Sequence, residues 1–377
     1  MRDFTDIKRV ILKIGSSSLV HSDLSVNVKI MDSLLASIAR LRESGIEVAL
    51  VSSGAIALGM HELHLESRPK AMALKQACAA VGQAKLMEAY NRLAEKYHLI
   101  CGQILLNHDD FQIKKRMLYL SDTLEAMFKS GAVPVINEND ALAVEEIRVG
   151  DNDTLSSLLV PMIHANLLIL FSDIDGLYDQ NPRLCPQAKR LDTVSRVDAK
   201  IYAMAGINSE GLGTGGMKTK LNAAVMATNA GCDMLICHAN QIENLVNIVK
   251  GEDIGTLFTA KPRGISSREH WIIFKAPTKG SIVVDNGVKE VLMKRRVSIL
   301  PAGILSVSGA FSAQDVIEVR DISGGLICKG IAGYSSAEIQ KIKGLSTQEI
   351  RESFPSFSKK EVIHANNLVI IREDYLC

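Results

Sequence analysis

The sequence predicts an α/β protein in two parts: a mostly parallel sheet with helices on both faces (an αβα sandwich), then a small β-rich domain. Three observations carry this. Short β-branched runs alternate with longer helical patterns through the region before Lys261, and such alternation builds parallel sheets covered on both faces. Polar clusters follow the strands at their carboxyl ends, where sheets of this kind gather ligands. The stretch Lys261–Arg268, KPRGISSR, is a polar, Pro- and Gly-containing connector. A chain of 377 residues suggests two domains or three, with length enough to bury a large core.

Each element follows from its pattern. Val10–Ile14 reads as a β-branched strand ending in the polar loop Gly15–Ser18. Met31, Leu34, Leu35, Ile38 and Leu41 fall at helical spacing, and Gly45 stops that helix. Val48–Val51 is the next strand and runs into Ser52-Ser53-Gly54. A helix is predicted over roughly Ala71–Lys96, then strands at Ile100–Leu106 and Val133–Ile136 with a helix between them. Helix Thr154–His164 leads into strand Leu167–Phe171, and Cys232–Cys237 lies in a buried strand. After the connector the pattern predicts strands at Trp271–Lys275, Ser281–Val284, Val297–Leu300, Val316–Arg320 and Gly325–Gly330. Helices are predicted at Gly287–Lys294 and Ser336–Ile342. The expected boundaries are 1–262 for the first domain, 263–268 for the linker and 269–377 for the tail.

Bulk properties exclude several classes. The net charge of +1 announces neither a nucleic-acid field nor a basic partner. The seven cysteines are scattered, odd in number and without a CxxC pair, so they read as reduced, mostly buried thiols of a cytoplasmic protein. Cys232, Cys237 and His238 are close enough in sequence to raise a metal site, but their place in an apolar strand favours the core. His61 and His64 read as surface residues. The charged start MRDFTDIKRV does not resemble a signal peptide, and no apolar run reaches the roughly 18 residues of a membrane helix.

The densest chemical signal is Gly211–Lys220, GLGTGGMKTK, which precedes a helical pattern. Glycines allow close backbone approach, a helix start offers free N–H groups, and lysines add positive charge. Together they describe a phosphate grip. It is not a P-loop, because Gly216 is followed by Met217 where that motif needs lysine. A GxGxxG after the first strand is also absent. Lys13 lies within an otherwise apolar strand, a place that calls for an anionic partner. Asn137–Asp140 and Gly150–Asp153 place amides and carboxylates beyond the strands. Helix capping by Asn152 or Asp153 explains one of them, not all. Lys13 and Lys220 are candidates to flank a phosphoryl group in transfer, with Asp153 holding both and Mg²⁺ bridging nucleotide phosphates.

VILKIG, SSGAIA, NENDA, VGDND, SDIDGLY and GTGGMKTK stand in an order and spacing that resembles the amino-acid kinase family, in its branch that ends in a PUA domain. The resemblance spans essentially the whole chain. It implies ATP-dependent phosphorylation of the side-chain carboxylate of L-glutamate, on the way to proline. Carried over by motif, Lys13 and Lys220 stabilise the γ-phosphate and Asp153 organises them. Ser53, Asp140 and Asn152 contact glutamate. Ser172, Asp173, Thr214, Gly215, Gly216, Met217, Lys218, Thr219 and Lys220 join Lys13 in binding ATP. The resemblance further implies a homo-oligomer (dimer or tetramer), feedback inhibition by proline, and Mg²⁺ carried by ATP rather than by protein ligands. Ser52 and Ser172 stand where the family more often has threonine, and Lys114–Asp122 departs from its usual form. Two alternatives stay open: another small acid as substrate, such as aspartate, N-acetylglutamate or carbamate, or RNA binding by the tail through Lys294-Arg295-Arg296.

Overall fold

A computed structural model of the protein describes residues 2, 4, 7–142, 152–182, 184–205, 216–261, 265–354, 357 and 361–371. Contacts divide the chain into two compact units, Met1–Ile265 and Ser266–Cys377.

Among the described residues the first unit is built on an eight-stranded sheet. Its strands are β1 (Arg9–Ile14), β2 (Glu47–Ser52), β3 (Ile100–Leu106), β4 (Ala132–Glu138), β5 (Leu167–Ser172), β6 (Thr193–Val194), β7 (Asp233–His238) and β8 (Thr256–Phe258), in the order β3-β4-β2-β1-β5-β7-β8-β6. Neighbours are parallel except β7 with β8. Lys13 of β1 lies level with Val51 of β2 and Leu170 of β5, and Val51 with Ile136 of β4. The carboxyl ends of the central strands therefore form one line.

The helices are α1 (Ser16–Leu19) and α2 (Val28–Glu43) after β1, α3 (Ala55–Glu62) and α4 (Met72–Ala94) after β2, and α5 (Lys114–Lys129) after β3. Then come α6 (Asn152–Ile163) before β5, α7 (Ala199–Met204) and α8 (Met217–Asn229) before β7, and α9 (Leu245–Val249) after it. Helix α2 starts because the Asn27 side chain accepts from Ile30 N at 3.3 Å, and it buries the predicted stripe from Met31 to Leu41. Strand alternation splits the core. Val10, Leu12 and Ile14 pack with residues of α2 and α4, while Ile11 packs on the other face with residues of α5, α6 and α8. By the same alternation Lys13 belongs to the α6/α8 face.

Two glycines decide how α3 meets α4. A Cβ on Gly59 would stand 1.8 Å from Cys78 O, and one on Gly82 would stand 1.8 Å from Ala55 O. The helices touch backbone to backbone, which only glycine permits at these positions. Gly54, at φ +104, turns the chain from Ser53 into α3.

The second unit holds α10 (Ser267–Phe274), β9 (Thr278–Val284), α11 (Asn286–Lys294), β10 (Ile304–Ser308), β11 (Val316–Arg320), β12 (Leu326–Ile331), α12 (Ser336–Ile342), α13 (Thr347–Ser353) and β13 (Leu368–Ile370). Its sheet runs β10-β9-β11-β12-β13 around a separate core containing Ile282, Ile317, Val319 and Leu368. Two strand expectations fail here. Of the segment Trp271–Lys275, all but the last residue is helical, because Ser266 and Glu269 form a reciprocal capping box that starts α10 inside the expected linker. Val297–Leu300 forms only a bridge, Ile299 to Ile363. Short apolar runs carry too little periodicity to separate helix from strand. The pattern also missed β10, α13 and β13.

Candidate active site

The α6/α8 face carries a buried charge cluster. Lys13 Nζ lies 2.5 Å from Asp153 Oδ1, and Lys220 Nζ donates to Asp153 Oδ2 at 2.8 Å. Asp153 is 0% exposed, Lys13 8% and Lys220 5%. Three elements supply the charges: the end of β1 and the first turns of α6 and α8. Burial pushes the Asp153 carboxyl up, but the Lys13 and Lys220 ammonium groups outweigh it and hold the acid below its ordinary range. Asp153 Oδ1 has no aligned hydrogen bond, so Lys13 meets it as an ion pair. Among the described residues of the cluster, two cations around one anion leave an excess positive charge in a low-dielectric place. Two helix N-termini add to it. Such a site calls for an anion.

Beside the cluster lies a chain of amides. Asn152, next to Asp153, directs Nδ2 to Ser53 Oγ at 2.7 Å, Ser52 O at 2.9 Å and Asn137 Oδ1 at 2.9 Å. Ser52 Oγ is 2.8 Å from the hydroxyl of the fully buried Tyr90, whose burial pushes its pKa up. Asp140 sits past the end of β4. It lines a cleft of about 300 Å³ together with Gln83, Gln103, Glu138, Asn139 and Ala55.

On the other side of β1, Ser172 ends β5 and donates to Asp173 Oδ1 at 3.0 Å. Gly216 caps α8, and Thr219 Oγ1 donates back to Gly216 O at 2.7 Å. Lys218 is exposed while Lys220 is buried, because residues two apart fall on opposite sides of a helix. Thr214 and Gly215 lie outside the described residues.

Comparison with known proteins fits this arrangement. The model of the "Amino acid kinase family" matches residues 8–238, and that of the "PUA domain" matches 280–354. The chain belongs to the amino acid kinase family. Relatives in this family match it almost end to end. The glutamate 5-kinase of Caldanaerobacter subterraneus subsp. tengcongensis is 43% identical over 364 residues, 96% of this chain and 98% of that protein. That of Carboxydothermus hydrogenoformans is 42% identical over 367 residues, 97% and 98% respectively.

For an amino acid kinase the structure also sorts the sequence's other candidates. Cys232 and Cys237 pack in opposite core clusters, on the two faces of the sheet, so they cannot share a metal ion. Among the described residues no group of three acidic, His or Cys side chains stands ready to hold one. Sequence reasoning missed Gln83 and Tyr90, which support the amide chain. The available signal was a glutamine among buried small and apolar residues of α4: Ala79, Gly82 and Leu86.

Proposed function

We propose that this kinase transfers the γ-phosphoryl group of ATP to the side-chain carboxylate of L-glutamate, giving L-glutamyl 5-phosphate, the first step of proline biosynthesis. The observation that carries the reading is the Lys13–Asp153–Lys220 cluster, with the Asn152 amide beside it at the strand ends. A glutamate carboxylate, with a pKa of about 4.3, is ionised at neutral pH and needs no general base. The chemical problem is to bring two anions together. Preorganised ammonium groups solve it by matching charge that spreads over the transferring phosphoryl oxygens.

The roles divide as follows. Lys13 and Lys220 face the phosphoryl group, and Asp153, held ionised by them, fixes both ammonium groups. Ser53, Asp140 and Asn152 hold glutamate. Ser172, Asp173 and Thr214–Lys220 hold ATP, with the N-terminal end of α8 suited to phosphate oxygens. Mg²⁺, borne by the nucleotide phosphates, would neutralise their charge. Cytoplasmic residence, a homo-oligomeric state and feedback inhibition by proline belong to the same proposal. Among the described residues no helix is long and apolar enough to cross a membrane. The boundaries 1–262 for the catalytic domain and 269–377 for the PUA-like tail are part of it too.

The test is ATP-dependent formation of an acyl phosphate, trapped with hydroxylamine, across a panel of small acids. Glutamate should give the hydroxamate; aspartate, N-acetylglutamate and carbamate should not. A reversed preference would overturn the substrate. RNA binding by the tail rests on Lys294-Arg295-Arg296, and Arg296 is already engaged by Ala365 O at 2.7 Å and Glu269 at 2.7 Å. Gel shifts with structured RNA that weaken with salt would favour it.

A further inference from the structure

We infer that Gln83 is a positioning residue for the phosphoryl acceptor. By accepting from Asn137 Nδ2 it holds Asn137 Oδ1 against the Asn152 amide, whose own Oδ1 is left for a ligand donor, and so it favours an acid that carries an ammonium group. The inference rests on the glutamate reading above and adds a residue which that reading does not use.

Amide orientation is assigned from hydrogen-bond networks, and here the network leaves one solution. Asn137 Oδ1 accepts from its neighbour's backbone, Glu138 N, at 2.9 Å, and also from Asn152 Nδ2 at 2.9 Å. Turning Asn137 over would set its NH₂ against the Glu138 N–H. Asn152 Nδ2 meanwhile faces the Ser52 carbonyl at 2.9 Å, so turning Asn152 over would set oxygen against oxygen twice. With both amides pinned, Asn137 Nδ2 must point along the sheet, where Gln83 Oε1 accepts from it at 2.9 Å. Gln83 Nε2 then donates to Gln103 Oε1 at 3.2 Å on β3. Asn137 is 2% exposed and Gln83 7%, so water is a poor substitute for either partner.

The consequence appears at the far end of the chain. Asn152 Oδ1 is buried and has no hydrogen-bond partner among the described residues. A buried acceptor without a donor costs free energy, which a ligand N–H donor recovers on binding. The α-ammonium of glutamate supplies such a donor; the same acid without its amino group does not. Gln83 and Gln103 line the cleft that Asp140 shares. The amide chain therefore runs from the cleft wall to the group beside Asp153.

The test uses the full chain. Gln83→Met keeps volume and helix propensity but removes the acceptor. Gln83→Glu keeps an oxygen facing Asn137 Nδ2, and the exposed Gln103 amide can turn over to donate to the second carboxylate oxygen. Loss of one buried acceptor should raise the KM for L-glutamate about tenfold in Gln83→Met. The KM for ATP and kcat should stay within about twofold, since binding rather than the transferring group is affected. Glutarate, which lacks the amino group, serves as a competitive inhibitor whose inhibition constant should not change. Gln83→Glu should return the glutamate KM to within about threefold of the parent.

An unchanged glutamate KM in Gln83→Met would overturn the inference. So would equal increases in both KM values, or an equal loss of glutarate binding, because these mark a merely structural role. Should Gln83→Met fail to fold by circular dichroism, Gln83→Glu decides: near-parental kinetics support the inference, and a tenfold rise in glutamate KM sinks it. A parent chain that makes no hydroxamate from glutamate overturns the substrate reading and the inference together. An active parent with an unaltered Gln83→Met overturns the inference alone.

Discussion

Lys220 and Asp140 separate catalysis from binding at the level of single residues. Lys220 contributes a buried ammonium group to the cluster around Asp153. Lys220→Ala should lower kcat by about a hundredfold, the loss of about 3 kcal/mol expected for one preorganised charge-stabilising group. Asp140→Ala should instead raise the KM for glutamate and leave kcat near the parent value. Steady-state kinetics on both variants check the contrast. Asp153→Asn has a different effect, because it leaves two buried ammonium groups without their anion. It should cost about 3 kcal/mol at pH 7, measured by urea unfolding. Its pH dependence follows from the depressed acid. A carboxyl whose native pKa is lowered stabilises the fold above its unfolded value and loses that contribution as pH falls through the native value. The gap between parent and variant should therefore be full at neutral pH and shrink only below about pH 4.

Between elements, backbone contact sets the geometry near Ser53. Helix α3 starts at Ala55, directly after Ser53-Gly54, and its position is fixed by contact with α4 through Gly59 and Gly82. A methyl on Gly82 would meet Ala55 O at 1.8 Å and Gly59 N at 2.4 Å, both backbone atoms that cannot swing aside. Gly82→Ala should destabilise by about 3 kcal/mol, at the upper end for overpacking. It should also raise the glutamate KM, since moving α3 moves Ser53 away from Asn152. Urea unfolding with kinetics on the residual folded enzyme tests both effects. Elements of this kind show how far pattern reading goes. Helix α2 and strands β1, β3 and β5 were legible because their apolar residues repeat over a full element against a defined face. Helix α10 was not, because WIIF is apolar throughout and its capping box lies upstream, in a segment that looked like linker.

Across the whole molecule, the scattered cysteines report on burial. Burial pushes the thiol of Cys101 up to about 11, and drives Cys232, Cys237 and Cys328 above the usual thiol range. Because the thiolate is the reactive form, these four should resist iodoacetamide at pH 7.5 in the native chain and react fully in urea. Peptide mass spectrometry reads the outcome. Native labelling at Cys232 or Cys237 would contradict their burial in the two core clusters of the sheet.

Sequence alone determined the architecture in outline and the chemical inventory. Periodicity gave the alternating α/β unit, and the amides, carboxylates and lysines clustered after strands pointed to an anion site. Those signals are local, and each survives in a short window of residues. Tertiary structure decided what met what. Lys13, Asp153 and Lys220 are separated by long stretches of chain and converge because three elements end on one face of one sheet. The run Gln103–Gln83–Asn137–Asn152 crosses the sheet between segments with no shared motif. A hydrogen bond between distant segments leaves no periodic trace, so only the folded chain could show that the orphan oxygen of Asn152 is held in place from β3.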